Sequence, residues 1–440
     1  MEEITICVVG LGYVGLPTGI AFHSAGFRVI GVDVSDKVIN QLMDGRSPLI
    51  DSSSYLKIPV ESDRWMVSSD FSESIPLSDV VLVTVPTPVN EDKSPDLSFV
   101  ERASKSVLEN LDKGKKTAVV LESTVYPGVT RRILGGLCDE IGISQEEVII
   151  AYCPERVNPG DFERGIESVA QIVGCDDQDW GEWLAVLFGK ITSESSTFVG
   201  KMEVAEASKL IENVQRDIDI ALANELALIL PNMGIDVEEV LEAAATKWNF
   251  HRHTPGIGVG GHCIPVDPYY YIELSEKVGA TSMLSTASRS INNSMPGKSA
   301  SQILDILVDH DDPHVLILGY SYKANVGDIR ETPVEPLAKY LFDGGCEILI
   351  HDPLVKDEDF PNWAKIVDVN DYSGEFDLVI LATFHKEFLL SNGDFWENLL
   401  SKMRIGDDGR AKIYDGRRSL DKGKMNDFGW EYFGVGVPRP

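Results

Sequence analysis

Cys263 stands in the run Pro255-Gly-Ile-Gly-Val-Gly260-Gly261-His-Cys263-Ile-Pro-Val-Asp267. A thiol in a glycine-rich loop, with a carboxylate four residues on, has the makings of a nucleophile held against a substrate. The opening of the chain supplies a matching oxidant. Gly10-Leu11-Gly12-Tyr13-Val14-Gly15 follows an apolar run and starts a helical pattern. Glycines so spaced allow a tight turn and bring a pyrophosphate close to a helix N-terminus. Asp33 ends the next apolar run, where a carboxylate accepts from an adenosine ribose hydroxyl and repels a 2′-phosphate, so the pattern points to NAD rather than NADP. Together, thiol and nicotinamide allow two successive oxidations, because an aldehyde trapped on sulfur can be oxidised to a thioester and released as an acid. Plainer readings stand beside these. A free Cys is often a small buried hydrophobe, and the glycine fingerprint is also a turn in unliganded α/β domains.

Other polar residues fall where ligands bind, just after strand-like runs. Thr87 in Val85-Pro-Thr87-Pro and Thr124 in Glu122-Ser-Thr124 are two, although Thr is equally an ordinary turn or cap residue. Glu155, Arg156 and Asn158 lie in Pro154-Glu155-Arg156-Val-Asn158; Glu155 could serve a hydroxyl or water, or simply pair with an Arg. Lys209 and Asn213 are four apart on a long helical pattern and so share a face. They would steady a developing alkoxide, or belong to a solvated Lys–Glu surface. Backbone N–H groups at Gly260 and Gly261 could hold an oxygen anion beside the thiol. Lys323, Arg330, Arg417 and Arg418 are candidate phosphate ligands and, singly, plain surface charges. His251, His253 and His262 with Cys263 match no common zinc ligand set, so no metal is expected.

Positioning these groups requires a particular set of elements. Ile4–Val9, Arg28–Val32, Val80–Val85, Ala118–Leu121 and Val148–Tyr152 read as strands separated by helical segments, which describes a parallel sheet covered on both faces. From about Lys201 to Asn232 one helix of about 45–50 Å follows, long enough to join domains or subunits, and Pro231 and Gly234 stop it. Strand–helix alternation restarts after Pro313 with Val315–Leu318, Pro333–Phe342, Glu347–His351 and Leu378–Ala382, and Ile413–Asp415 is read as the last strand. The two α/β halves resemble each other only loosely, with no sequence repeat. The fold class is therefore α/β, with domains at 1–198, 199–300 (carrying the Cys263 loop) and 310–440. A net charge of −31, from 39 basic and 70 acidic side chains, disfavours nucleic acid and anionic membranes as partners. The excess fits either a salty interior or simple solubility. Six cysteines without a CxxC pair read as reduced thiols of a cytoplasmic protein, and neither a signal peptide nor a membrane span is seen.

With these residues assembled, the chain resembles the UDP-glucose/GDP-mannose dehydrogenase family over essentially its whole length. The resemblance rests on GLGYVGLP, VPTP, ESTVYPG, the Lys209/Asn213 helix, GVGGHCIPVDP, GYSYKANVGDIRETP and YDGRR. PERVNPGD, KLIENVQRDI and AATKWNF look like its UDP-N-acetylhexosamine 6-dehydrogenase branch, acting on the glucosamine, galactosamine or mannosamine nucleotide for polysaccharide or glycan synthesis. It implies two Rossmann-like doubly wound domains joined by a long central helix and a helical dimerisation segment, with NAD as cofactor, a UDP-sugar substrate and a homodimer. Cys263 would be the covalent nucleophile. Lys209, Asn213 and Asp267 would manage oxyanion and water, with Thr124 and Glu155 assisting. Lys323 and Arg417 would bind the UDP-sugar, Arg330 would reach the NAD side, and Arg252 would enter a neighbouring subunit's site. One departure is Pro159, which stands where UDP-glucose dehydrogenases carry a second Glu. The alternatives are a UDP-glucose 6-dehydrogenase, a single-step β-hydroxyacid-type dehydrogenase that would not need Cys263, and a silent NAD-binding protein.

Overall fold

Apolar runs bounded by glycine and acidic residues become strands of two sheets. The computed structural model describes residues 4–49, 56–90, 92–144, 146–156, 165–261, 263–389, 393–405 and 409–439. The chain divides into two units, Met1–Asn213 with Tyr269–Thr281, and Val214–Pro268 with Ser282–Pro440.

In the first unit, β1 (Thr5–Val9), β2 (Arg28–Val32), β3 (Trp65–Ser68), β4 (Val80–Val83), β5 (Thr117–Leu121), β6 (Val148–Tyr152), β7 (Gln171–Cys175) and β8 (Ser196–Gly200) form one sheet. Their order is β3-β2-β1-β4-β5-β6-β7-β8, and every neighbouring pair is parallel except β6 and β7. All residues of β1, β4 and β5 are buried, as a sheet covered on both faces requires. In the second unit, β9 (His314–Leu318), β10 (Glu347–His351), β11 (Lys365–Ile366), β12 (Leu378–Leu381), β13 (Ala411–Asp415) and β14 (Trp430–Gly434) form an all-parallel sheet. Its order is β11-β10-β9-β12-β13-β14. The strand ending at Asp415 is therefore not the last: β14 follows and pairs with it along its length.

The two sheets share more than strand order. The Asp79 carboxylate accepts from Thr5 N at 2.7 Å, and the Asp377 carboxylate accepts from His314 N at 2.7 Å. At the other end, Gly10 N donates to Val32 O and Gly319 N to His351 O, both at 2.8 Å. In each sheet the strand order reverses beside the first strand, between β1 and β4 and between β9 and β12. Ligands of such folds bind outside the carboxyl ends of the strands at this reversal.

The long helix is Met202–Ile229, about 42 Å at 1.5 Å per residue, and one 3₁₀ turn, Leu230–Met233, precedes a left-handed Gly234. The division between the units falls within it, after Asn213. Glu206, Lys209, Asp217 and Asn224 are buried on the helix at helical spacings, so one face carries a polar seam. Within the first unit, Glu206 accepts from Gly128 N at 2.6 Å and Thr130 N at 2.8 Å. Within the second, Asp217 accepts from Arg289 at 2.6 Å, Asn292 at 2.7 Å and the Ser288 hydroxyl at 2.8 Å. These bonds satisfy groups whose burial would otherwise be costly.

Candidate active site

The glycine fingerprint builds a cradle in the first unit. Gly10 has φ 98°, a conformation that suits a residue without a side chain. A Cβ at Gly15 would lie 1.9 Å from Gly10 O and 2.3 Å from the Thr84 hydroxyl, so only glycine fits there. At Gly12 a Cβ would meet nothing within 4 Å. The turn is thus closed on its protein side and open at its exposed middle. The helix Gly15–Ser24 that follows has Val14 at its N-cap, with no side-chain cap and no acidic residue in the first turn. Leu16 N donates to Gly12 O at 3.1 Å and Pro17 has no N–H, so an anion here would be favoured by the positive end of the helix dipole and the amides of the turn itself. Tyr13 and Val14 flank the opening, half-buried. Asp33 accepts from Leu11 N at 2.8 Å through one oxygen and from Ser35 N at 2.9 Å through the other. It therefore fixes the turn and still has lone pairs for a ribose. Gly10, Gly12, Gly15 and Asp33 fit an NAD pyrophosphate and adenosine ribose.

The loops after β4, β5 and β6 carry the remaining groups of this unit. Ser123 donates to Val85 O at 2.6 Å and ties the loops of Thr87 and Thr124 together. Tyr270 donates to Thr87 O at 3.0 Å, and Lys277 donates to the Tyr126 hydroxyl at 2.8 Å. The helix Asp267–Lys277, which begins four residues after the thiol, thus packs its later turns on these loops. Glu155 accepts from Arg156 N at 2.6 Å. The Arg156 guanidinium is committed elsewhere, to Glu212 at 2.5 and 3.2 Å and to Ala170 O at 3.0 Å. Asn158 lies outside the described residues. Lys209 is only 8% exposed, so it is no part of a solvated face, and Asn213, one turn on, is half-buried.

The sequence reading passed over Glu122. It directly follows β5, is 4% exposed, and its Oε1 is sealed from solvent without a hydrogen-bond partner. Burial, and then the charge of Glu155, hold its pKa well above the usual carboxyl range. Its place after an apolar strand, two residues before Thr124, was the available signal.

In the second unit the Cys263 loop is held at several points. Gly256 N donates to Asn224 Oδ1 at 2.9 Å, Ile257 N to Gly416 O at 3.1 Å and Gly261 N to Arg330 O at 3.2 Å. An alanine Cβ at 260 would sit 2.6 Å from Tyr322 Cβ and 2.9 Å from Glu331 O, so the loop is threaded where side chains do not fit. The Cys263 carbonyl accepts from Val266 N at 3.1 Å and Asp267 N at 2.8 Å, which sets the thiol one turn ahead of a helix whose first residue, Asp267, is 2% exposed. Cys263 is the one cysteine of six that is not buried. Burial pushes the Cys7 thiol up to about 12 and those of Cys138 and Cys346 to about 11, so these stay protonated and inert.

Arg417 has a different place from a free phosphate ligand. It donates to Ala382 O at 2.6 Å and, at 3.4 Å, to both Gly258 O and Tyr322 O. It clamps the loops after β9, β12 and β13 to the thiol loop, and burial lowers its pKa to about 10. Arg330 holds Asp328 with its guanidinium and Gly261 with its carbonyl. Lys323 is half-buried on the loop after β9. Arg418 bonds Asp236 at 2.6 Å, and Arg252 pairs with Glu238. His262 is not among the described residues.

Three regions match successive models of one family: its NAD binding domain over residues 4–192, its central domain over 203–294 and its UDP binding domain over 316–422. The chain belongs to the UDP-glucose/GDP-mannose dehydrogenase family. Among curated members of the family, the UDP-N-acetyl-D-glucosamine 6-dehydrogenase of Pseudomonas aeruginosa is 37% identical over 400 residues, 88% of this chain and 92% of the relative. A UDP-N-acetyl-D-mannosamine dehydrogenase of Pyrococcus horikoshii is 32% identical over 438 residues, 98% and 99% of the two chains. A solved UDP-D-ManNAc dehydrogenase structure from P. horikoshii superposes with TM-score 0.87 at 31% identity, covering 99% of each chain. That of a Staphylococcus aureus UDP-N-acetyl-mannosamine dehydrogenase gives 0.80 at 30% identity, covering 98% of each. As a member of this dehydrogenase family, the protein is an oxidoreductase with NAD as its cofactor.

Proposed function

We propose that the protein oxidises C6 of a UDP-N-acetylhexosamine to the carboxylate, in two steps, through a covalent bond to Cys263. The observation that carries this reading is the unburied thiol in its clamped glycine loop, beside Asp267, in a chain that also holds an NAD cradle. NAD, when bound, accepts one hydride from the substrate in each oxidation. Lys209 and Asn213 steady the oxygen of C6 as the alcohol loses its proton. The thiolate of Cys263 adds to the resulting aldehyde, giving a thiohemiacetal whose oxidation leaves a thioester. Water, held by Thr124, Glu155 and Asp267, hydrolyses that thioester and frees the thiol. Lys323, with the Gly260 N–H group, binds the nucleotide sugar, Gly261 N being committed to Arg330 O, and Arg417 holds the loops that present them.

The same reading divides the chain into an NAD-binding domain at 1–198, a central domain at 199–300 and a UDP-sugar domain at 310–440. It includes a cytoplasmic setting; among the described residues no helix is long and apolar enough to cross a membrane. It also includes a homodimer. Val204, Ile211, Leu222 and Ile229 are each about half exposed on the long helix, at intervals of seven, eleven and seven residues, and so share one stripe. Arg252 is the residue offered to the second subunit.

A spectrophotometric assay against a panel of UDP-sugars tests the reaction. A UDP-N-acetylhexosamine should yield about two NADH per sugar. Cys263→Ser should stall after oxidation begins, and undiminished turnover by that variant would remove the thiol from the mechanism.

A further inference from the structure

We propose that Glu122 forms a carboxyl pair with Glu155 and is a positioning residue for the water step that releases the product. This rests on the thioester reading above. Glu122 and Cys153 end neighbouring parallel strands, with Cys153 N donating to Leu121 O at 3.0 Å, and Glu155 is two residues further along. The Cys153 thiol is pushed up by burial and then by the neighbouring Glu122 and Glu155 carboxyls, in keeping with both lying in one locality. Glu122 N is held by Val83 O at 2.9 Å, which places the residue over the middle of the sheet, at the carboxyl ends where ligands of this fold lie.

A buried carboxyl oxygen without a partner is costly and needs an explanation. A carboxyl pair supplies one. Burial and Glu155 both favour the neutral form of Glu122, so the pair carries one proton and one negative charge. Glu122 is then a donor, and Glu155, which already accepts from Arg156 N, is the carboxylate. In the hydrolytic step the water oxygen bonds to C6 and the C6–S bond breaks, its electron pair going to the Cys263 sulfur. The water proton passes to Glu155, and the pair ends neutral.

The test compares Glu122→Met, Glu122→Gln and Glu155→Gln in the full-length enzyme with UDP-N-acetylglucosamine and UDP-N-acetylmannosamine as probes. Glu122→Met removes the donor and should slow steady-state turnover about tenfold or more, keep the initial burst of NADH, and accumulate a thioester adduct visible in intact-protein mass spectra. Glu122→Gln keeps a neutral donor and should recover most of the rate. It should also lack any alkaline loss of activity that the wild type shows through ionisation of Glu122. Wild-type turnover by Glu122→Met, or equal losses in Met and Gln without an adduct, overturns the proposal. If Glu155→Gln accumulates the thioester and Glu122→Met does not, only the Glu122 assignment fails. If no variant forms an adduct and one NADH appears per sugar, the two-step reading fails as well. Should the variants not fold, infrared difference spectra of the wild type decide. A protonated carboxyl band at neutral pH that shifts on adding NAD and UDP-sugar supports the pair, and its absence overturns it.

Discussion

Glu122 and the six thiols show what burial does to groups of the same chemical type. Five thiols are buried and chemically quiet, and the sixth stands in a loop that presents it. Glu122 carries the opposite lesson, since its reactivity is created by burial. Its folded-state pKa lies above the unfolded value near 4.3, so its stabilising effect is fully present below that pH and is lost as pH rises toward the folded value. The wild type should therefore lose stability relative to Glu122→Gln by about 1.4 kcal/mol per pH unit through this window. Urea unfolding of both proteins from about pH 5 to pH 7 measures the gap. A gap that stays constant would mean that the folded protein holds no proton on Glu122.

The long helix does at the level of an element what single side chains cannot. Its polar seam fixes partners far away in sequence, and Asn224 joins it to the thiol loop by accepting from Gly256 N and donating to Asn292. Asn224→Ala would leave a buried N–H and a buried amide oxygen unpaired, costing about 1–3 kcal/mol for each. The expected result is a lower melting temperature and faster alkylation of Cys263, with NAD affinity unchanged because the cradle belongs to the other unit. Unchanged alkylation would show that the loop is held without Asn224. The helix itself was legible from its pattern; the seam was not, because Glu, Lys, Asp and Asn at helical spacing look the same buried or solvated.

For the molecule as a whole, the two sheets repeat one plan with the same aspartate pins and the same order over six strands, on sequences that show only a loose likeness. The acidic surface makes the exposed aliphatic stripe of the long helix conspicuous. Leu222→Glu or Ile211→Glu should convert the proposed dimer to a monomer in sedimentation equilibrium, since each would put a charge into the apolar contact proposed for this stripe. A wild-type molar mass in both variants would place the subunit contact elsewhere.

The sequence by itself determined the fingerprint, Asp33, the buried strands and the thiol loop, because each is written in a short window by glycine conformation or apolar runs. It missed β3, β7, β8, β11 and β14, which lie at or next to the sheet edges and each include half-buried or exposed positions. Only the tertiary structure decided that Lys209 is buried, that Arg156 is committed to Glu212, that Glu122 has an orphaned oxygen, and that Arg417 is a clamp. The partners of Arg417 lie 35, 95 and 159 residues away in sequence. Burial and long-range pairing depend on which strands become neighbours, and no local pattern of residue types records that.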